Sequence, residues 1–456
     1  MLRENPECDV TGRTPLASHE RTDLGSGRLP SRPFVGPEQQ VDPLKAYLRE
    51  IRPETRPLGE RVSQPIAERT ATTHGSKNLR DFATLKHREK EGLLRQDEAE
   101  YARYGTPILR RVEDALAKLD GGEQALIFRS GMAAIETLIH SILPTKGAER
   151  GHIIAARQGY RQTNAILEEL NARGWAEVDL IDADDFNQLA RFIKPNTVGI
   201  IFETPSNPFL RVIDVAAVKK QVVEVGSNAL VIADHTFAGP TNQRPLEQGA
   251  DLVIPSLTKY ISGSNQALAG AVIGSKERLL PIYQRRSRSG NIGHDIDCLE
   301  VENGIATLEE RTAQANENGL HVANILDRHP LVKQLWYPGH PSHPDYEVAT
   351  KQMTGFGGVV SFTIDARDMR DVEAFVDAFI AASPEGTFLA PSFGGDKPLI
   401  SAVTVVSHFQ QSAQERAARG IPFELIRLST GTIPPQQLTD ALEAAFTALE
   451  KRQHEN

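Results

Sequence analysis

The chain has 456 residues, of which 39% are hydrophobic and 24% charged, enough to bury a sizeable core in two or three domains. Its net charge of −9 speaks against a nucleic-acid or acidic-membrane partner, and no apolar run is long enough to cross a bilayer. The two cysteines, Cys8 and Cys298, are too few for a disulfide framework or a zinc site, so no metal is expected. The start, MLRENPECDV, lacks the apolar core of a secretory signal, which makes a soluble cytoplasmic protein the default expectation.

Residues 1–75 are rich in Arg, Pro, Glu and Ser without a sustained period. They read as an extended N-terminal arm, partly disordered or laid over a neighbouring subunit. The stretch from Arg80 to about Ala102 is highly charged and weakly helical. After a turn at Gly105–Thr106–Pro107, apolar residues from Ile108 to Leu119 recur at helical spacing and stop at Asp120–Gly121–Gly122. Gln124–Phe128 reads as a strand, and Ser130–Gly131–Met132 opens a helix whose free N–H groups make an anion site. Strands at His152–Ala155, Val198–Phe202, Leu230–Ala233 and Leu252–Ile254 then alternate with helices at Thr163–Arg173 and Val212–Val225. This alternation predicts an α/β fold with a mainly parallel sheet covered on both faces. One long helical stretch, Leu299–Arg328, links it to a smaller α/β domain. That domain has strands at Gly358–Thr363 and Leu425–Ser429 and helices at Val372–Ile380 and Leu438–Leu449. The expected domains are 1–75 (arm), 76–305 (large sheet) and 306–456 (C-terminal).

In parallel sheets ligands sit at the carboxyl ends of the strands. Asn207, Asp234 and Lys259 all fall just past such ends. A lysine at a strand end is ordinarily a solvated one, but small residues (Ser262, Gly263, Ser264) and the hydroxyls of Ser256 and Thr258 surround this one. That setting suits a Schiff-base lysine. A hydroxyl pair for a phosphate and an amine for an aldehyde together describe a site for pyridoxal 5'-phosphate (PLP). Asp234 follows four apolar residues, and a buried carboxylate needs a positive partner such as a pyridinium nitrogen. Tyr160, just after a strand, is placed to stack on the ring and to transfer protons. Arg427 lies inside an apolar strand, where the carboxylate of an amino-acid substrate would be its partner.

The segments YARYGTP, LIFRSGMAA, GYRQT, ETPSNPFLRVID, IADHTFAGP, SLTKYISGS, YPGHPSHPDYEVATKQMTGFGGVVSF, LAPSFGG and LIRLSTG run in order from about residue 98 to the C-terminus. In these the chain resembles the trans-sulfuration (Cys/Met metabolism) family of PLP enzymes, most closely its plant-type cystathionine γ-synthases. The resemblance implies fold type I, with Lys259 as the Schiff-base lysine and proton shuttle and with Asp234 on the pyridine nitrogen. Tyr160 would stack on the ring. Gly131, Met132, Ser256 and Thr258 would hold the phosphate, and Tyr101 and Arg103 would reach the phosphate of the adjacent subunit. Asn207 and Arg427 would hold the substrate carboxylate, Asn207 also lying near the ring hydroxyl, and Ser392 would orient Lys259 and the substrate. It further implies a homotetramer, a dimer of dimers, acting on a small amino acid.

The departures from the family lie on the substrate side. Gln162 stands where plant-type synthases carry a lysine suited to a phosphorylated leaving group. Asp396–Lys397–Pro398 replaces the segment with a glutamate after SFGG. Ser262–Gln266 replaces GGHND, Gly105–Ile108 replaces GNPT, and Ile433–Pro434 replaces an acidic pair. The expected activity is γ-replacement on an activated homoserine derivative, with cysteine as second substrate. The alternative is a γ-lyase acting on a homoserine-like amino acid such as cystathionine, methionine or canavanine. A PLP-binding module without catalysis would not need Lys259, Tyr160 and Arg427 together.

Overall fold

The structure, a computed structural model, describes residues 60–61, 74–75, 78–90, 101–144, 150–407 and 413–455. The N-terminal arm therefore lies outside the described residues except for two short strands, β1 (Glu60–Arg61) and β2 (His74–Gly75), which pair antiparallel. Cys8 also lies outside, and the charged stretch 80–102 is described as a helix, Leu79–Lys90, and from Tyr101 onward.

A seven-stranded sheet is built from β3 (Gln124–Phe128), β4 (His152–Ala156), β5 (Glu177–Ile181), β6 (Thr197–Glu203), β7 (Leu230–Asp234), β8 (Leu252–Val253) and β9 (Gly270–Gly274). The spatial order is β3-β9-β8-β7-β6-β4-β5. The run β8 to β5 is parallel throughout, and β9 is antiparallel to both of its neighbours. Successive residues enter different cores: Ile127, Ile154 and Val231 pack into one, and Leu126, Ile153 and Ile232 into another. Side chains alternate across a strand, so the sheet is buried on both faces and its strands read as continuous apolar runs.

A second, five-stranded sheet comprises β10 (Val332–Trp336), β11 (Val359–Ile364), β12 (Phe388–Leu389), β13 (Leu399–Ala402) and β14 (Leu425–Ser429), in the order β10-β11-β14-β13-β12. It is antiparallel except for β12 on β13. The helices Met369–Ala382 and Pro435–His454 contribute Phe375, Phe379, Leu438 and Phe446 to its core, beside Phe362 and Leu428 from the strands.

Two predicted helices differ from the observed ones. The helix expected from Val212 begins at Val215, because the Asp214 side chain accepts from the Ala217 N–H and caps it there. The long stretch expected as one helix is two, Asp295–Ala306 and Leu308–Arg328, broken at Thr307. Arg311 explains the break. Its guanidinium donates to the Gly304, Tyr260 and Ile261 carbonyls at 2.6, 2.7 and 3.2 Å. It thus caps one carbonyl in the last turn of the first helix, that of Gly304, and ties the turn after Lys259 to it.

Among the described residues, no helix is long and apolar enough to cross a membrane, and no cluster of His, Cys, Asp or Glu could hold a metal ion.

Candidate active site

The carboxyl ends of β4, β6, β7 and β8 deliver four side chains to one side of the large sheet. Tyr160 follows β4, Asn207 follows β6, Asp234 ends β7 and Lys259 follows β8. A small pocket beside two of them, Tyr160 and Asp234, is lined also by Thr163 and Glu203 and by Ile135, Ile201 and Ile254.

Lys259 is half-buried, and its Nζ donates to Ser392 Oγ at 2.7 Å. It lies 4.9 Å from the centroid of Phe393, which stacks on Phe237 at 4.3 Å. Burial, and then the positive charge of Arg427, pull the amine from 10.5 down to about 8. A desolvated amine of this kind is a nucleophile at near-neutral pH.

Asp234 Oδ1 accepts from the Thr236 N–H at 2.9 Å and from the Thr236 hydroxyl at 2.6 Å. Burial raises its carboxyl above the ordinary value, against these two bonds and the nearby His235. No cation forms an ion pair with it among the described residues.

Arg427 is buried in β14, with Ser361 and Ser401 directly across on the neighbouring strands. These small neighbours leave room for a guanidinium in the middle of a sheet. One of its nitrogens donates to Asn207 Oδ1 at 2.8 Å. Burial lowers the guanidinium to about 10, so it stays charged at neutral pH.

At Gly131, where an anion site is expected, the backbone approaches closely. A Cβ on Gly270 would fall 2.5 Å from Gly131 Cα, and a Cβ on Gly131 would fall 3.4 Å from Ser256 Cβ. Two glycines therefore bring the start of the helix Gly131–Ile142 against Ser256. Ser130 caps that helix through the Ala133 N–H, and the first-turn amides of Gly131 and Met132 have no partner within the helix. The Thr258 hydroxyl is occupied: it donates to the Ala269 carbonyl and accepts from the Ala269 N–H, both at 3.1 Å.

Tyr101 and Arg103 are not brought to this cluster. Tyr101 is exposed, and Arg103 donates to the Ser287 carbonyl and lies over the rings of Tyr101 and Tyr104. Glu203 was not singled out from sequence. It is buried at the end of β6, in register with Asp234, and its two oxygens accept from the Tyr160 and Asn207 N–H groups. An acid closing an apolar strand, as at Asp234, was the available signal.

The sequence profile of the Cys/Met metabolism PLP-dependent enzyme family matches residues 60–447. The chain belongs to this family. Among its relatives, cystathionine gamma-synthase 1, chloroplastic, of Arabidopsis thaliana is 34% identical over 408 residues, 88% of this chain and 69% of that protein. Cystathionine gamma-lyase of Sus scrofa is 35% identical over 350 residues, 76% of this chain and 84% of that protein. The crystal structure of cystathionine gamma synthase from Xanthomonas oryzae pv. oryzae in complex with cystathionine superimposes with a TM-score of 0.74 at 29% identity. It covers 91% of this chain and 100% of that one. As a fold-type I enzyme of the Cys/Met metabolism family, the protein uses pyridoxal phosphate. The residues present fit that group: a desolvated amine, a carboxylate without a cationic partner and a glycine-lined helix start beside a serine.

Proposed function

We propose that this PLP-dependent enzyme catalyses γ-replacement on an activated homoserine derivative, with cysteine as the incoming nucleophile. The observation that carries the reading is one cluster of side chains, in which Lys259 and Arg427 both lie over the Phe393 ring and Arg427 is bonded to Asn207. The likeness to γ-synthases of Arabidopsis and Xanthomonas supports replacement as the outcome.

When bound, pyridoxal phosphate supplies an electron sink that stabilises negative charge on the substrate carbons. Asp234 would hold the ring nitrogen as its cationic partner. The amides of Gly131 and Met132, with the Ser256 hydroxyl, would hold the phosphate; the Thr258 hydroxyl, expected to join them, already donates to the Ala269 carbonyl. Tyr160 would stack on the ring and would draw a proton from the incoming amine. Lys259 Nζ, partly neutral near pH 8, moves protons among the α, β and γ carbons of the substrate, and Ser392 aims it. Arg427 takes the substrate carboxylate by its planar fork while Asn207 fixes the orientation of that fork.

The same reading divides the chain at 1–75, 76–305 and 306–456, with a sheet in each of the last two parts and the helix break at Thr307 close to their boundary. It also makes the enzyme a cytoplasmic homotetramer, a dimer of dimers. Tyr101 and Arg103 would then serve a neighbouring subunit's phosphate, which accords with their distance from any bond to Lys259 or Asp234.

A γ-elimination on cystathionine, methionine or canavanine is the second reading. It is favoured by the likeness to the Sus scrofa γ-lyase and by Gln162, an exposed neutral residue in the first turn of the helix Arg161–Ala172. A panel of homoserine esters, cystathionine, methionine and canavanine, each with and without cysteine, tests both. A thioether product that requires cysteine supports replacement; keto acid and ammonia regardless of cysteine support elimination. No turnover of any of them would remove both.

A further inference from the structure

We propose that Glu203 is a positioning residue: its carboxyl clamps the loop carrying Tyr160 to the loop carrying Asn207 and so fixes the gap that holds ring and substrate. The proposal rests on the reading of this cleft as the catalytic one. Glu203 is the last residue of β6 and is 9% exposed. One oxygen accepts from the Tyr160 N–H after β4, and the other accepts from the Asn207 N–H at 2.9 Å. Asn207 in turn holds Arg427. The chain of contacts Tyr160–Glu203–Asn207–Arg427 therefore runs from a half-exposed ring on the large sheet to a buried guanidinium on the small one.

The geometry selects a carboxyl. Two donors face two oxygens, so an amide in the same place would turn an N–H against an N–H. Gly159 leaves the approach open, since a Cβ there would sit 3.3 Å from Oε1. The position is also electrostatically unfavourable. The carboxyl of Asp234 lies opposite in register, and Arg427 is the cation that acts on Glu203. Burial and Asp234 hold the Glu203 carboxyl up to about 8, against the two N–H bonds and Arg427. The acid lies where it touches the backbone of two residues of the candidate site, and perturbed groups concentrate at functional sites.

The test compares the full-length wild type with Glu203→Gln, and with Glu203→Asp as a shorter carboxyl that reaches fewer of the donors. Hydrogen–deuterium exchange is followed in the peptides containing Tyr160 and Asn207, and kcat, KM, cofactor content and Tm are measured. In Glu203→Gln, exchange in both peptides speeds up, KM rises and kcat falls by about tenfold each, as for one lost hydrogen bond apiece. The Tm stays within a few degrees. Glu203→Asp shifts in the same direction. Unchanged exchange with kinetic constants within twofold overturns the proposal. So does a lowered Tm with normal kcat and KM per bound cofactor, since that is a structural tie. The exchange comparison needs no substrate, so an enzyme inactive on every amino acid tested would count against the functional reading while the clamp is still judged.

Discussion

Lys259 should titrate far below an ordinary lysine, and this can be measured on the cofactor-free chain. Burial and the charge of Arg427 lower its amine from 10.5 to about 8. The amine is protonated below that value and neutral above it, and only the neutral form attacks a carbonyl. At pH 7 a group titrating at 8 is neutral about one time in ten, whereas one at 10.5 is neutral about one time in three thousand, a difference of about 300-fold. The assay is reductive labelling with a simple aldehyde and borohydride between about pH 6 and about pH 10, with peptide mapping by mass. Labelling at Lys259 should rise about tenfold per pH unit and level off above about 8, while solvated lysines in the same digest continue to rise. Replacing the second cause of the shift, as in Arg427→Leu, should move the Lys259 midpoint upward. A wild-type midpoint near 10, or labelling at Lys259 no faster than at solvated lysines, would refute the argument that this amine is desolvated for reaction.

Two further substitutions separate binding from chemistry. Arg427→Lys keeps the charge but loses the planar fork and the 2.8 Å bond to Asn207, so KM should rise by about 10- to 100-fold with kcat changed by less than about threefold. A collapse of kcat at constant KM would show that Arg427 acts in the chemical step instead. Asp234→Asn keeps an oxygen for Thr236 but removes the anion, and should weaken cofactor retention and lower kcat by about a hundredfold. Cofactor affinity and kcat both within twofold of wild type would remove Asp234 from the ring nitrogen.

The parallel sheet was legible because its strands are buried on both faces and carry unbroken apolar runs; Ile153–Ile154 and Val231–Ile232 feed opposite cores. The candidate residues were legible for the same reason, since Asn207, Asp234 and Lys259 fall at or just past the carboxyl ends of such runs, where parallel sheets bind ligands. Arg427 stood out as a charge in an apolar strand. Two strands of the sheet were not read. In β5 no residue before Ile181 is fully buried, and β9 is a short GAVIG run between glycines that needs β3 and β8 as partners. The break at Thr307 was invisible because Arg311 causes it through carbonyls 7 to 51 residues away in sequence. Glu203 closes the apolar run of β6 as Asp234 closes that of β7, but the backbone N–H groups it binds leave no trace in the sequence.

Lys259 is the reactive centre of the proposed mechanism, and the decisive variant is Lys259→Ala. Turnover on any amino acid that the wild type accepts and the visible absorbance of the covalently held cofactor are followed together with the melting temperature. The expected result is no measurable turnover and no such band, with a melting temperature within a few degrees of the cofactor-free wild type. A variant that keeps near-normal turnover would contradict the claim.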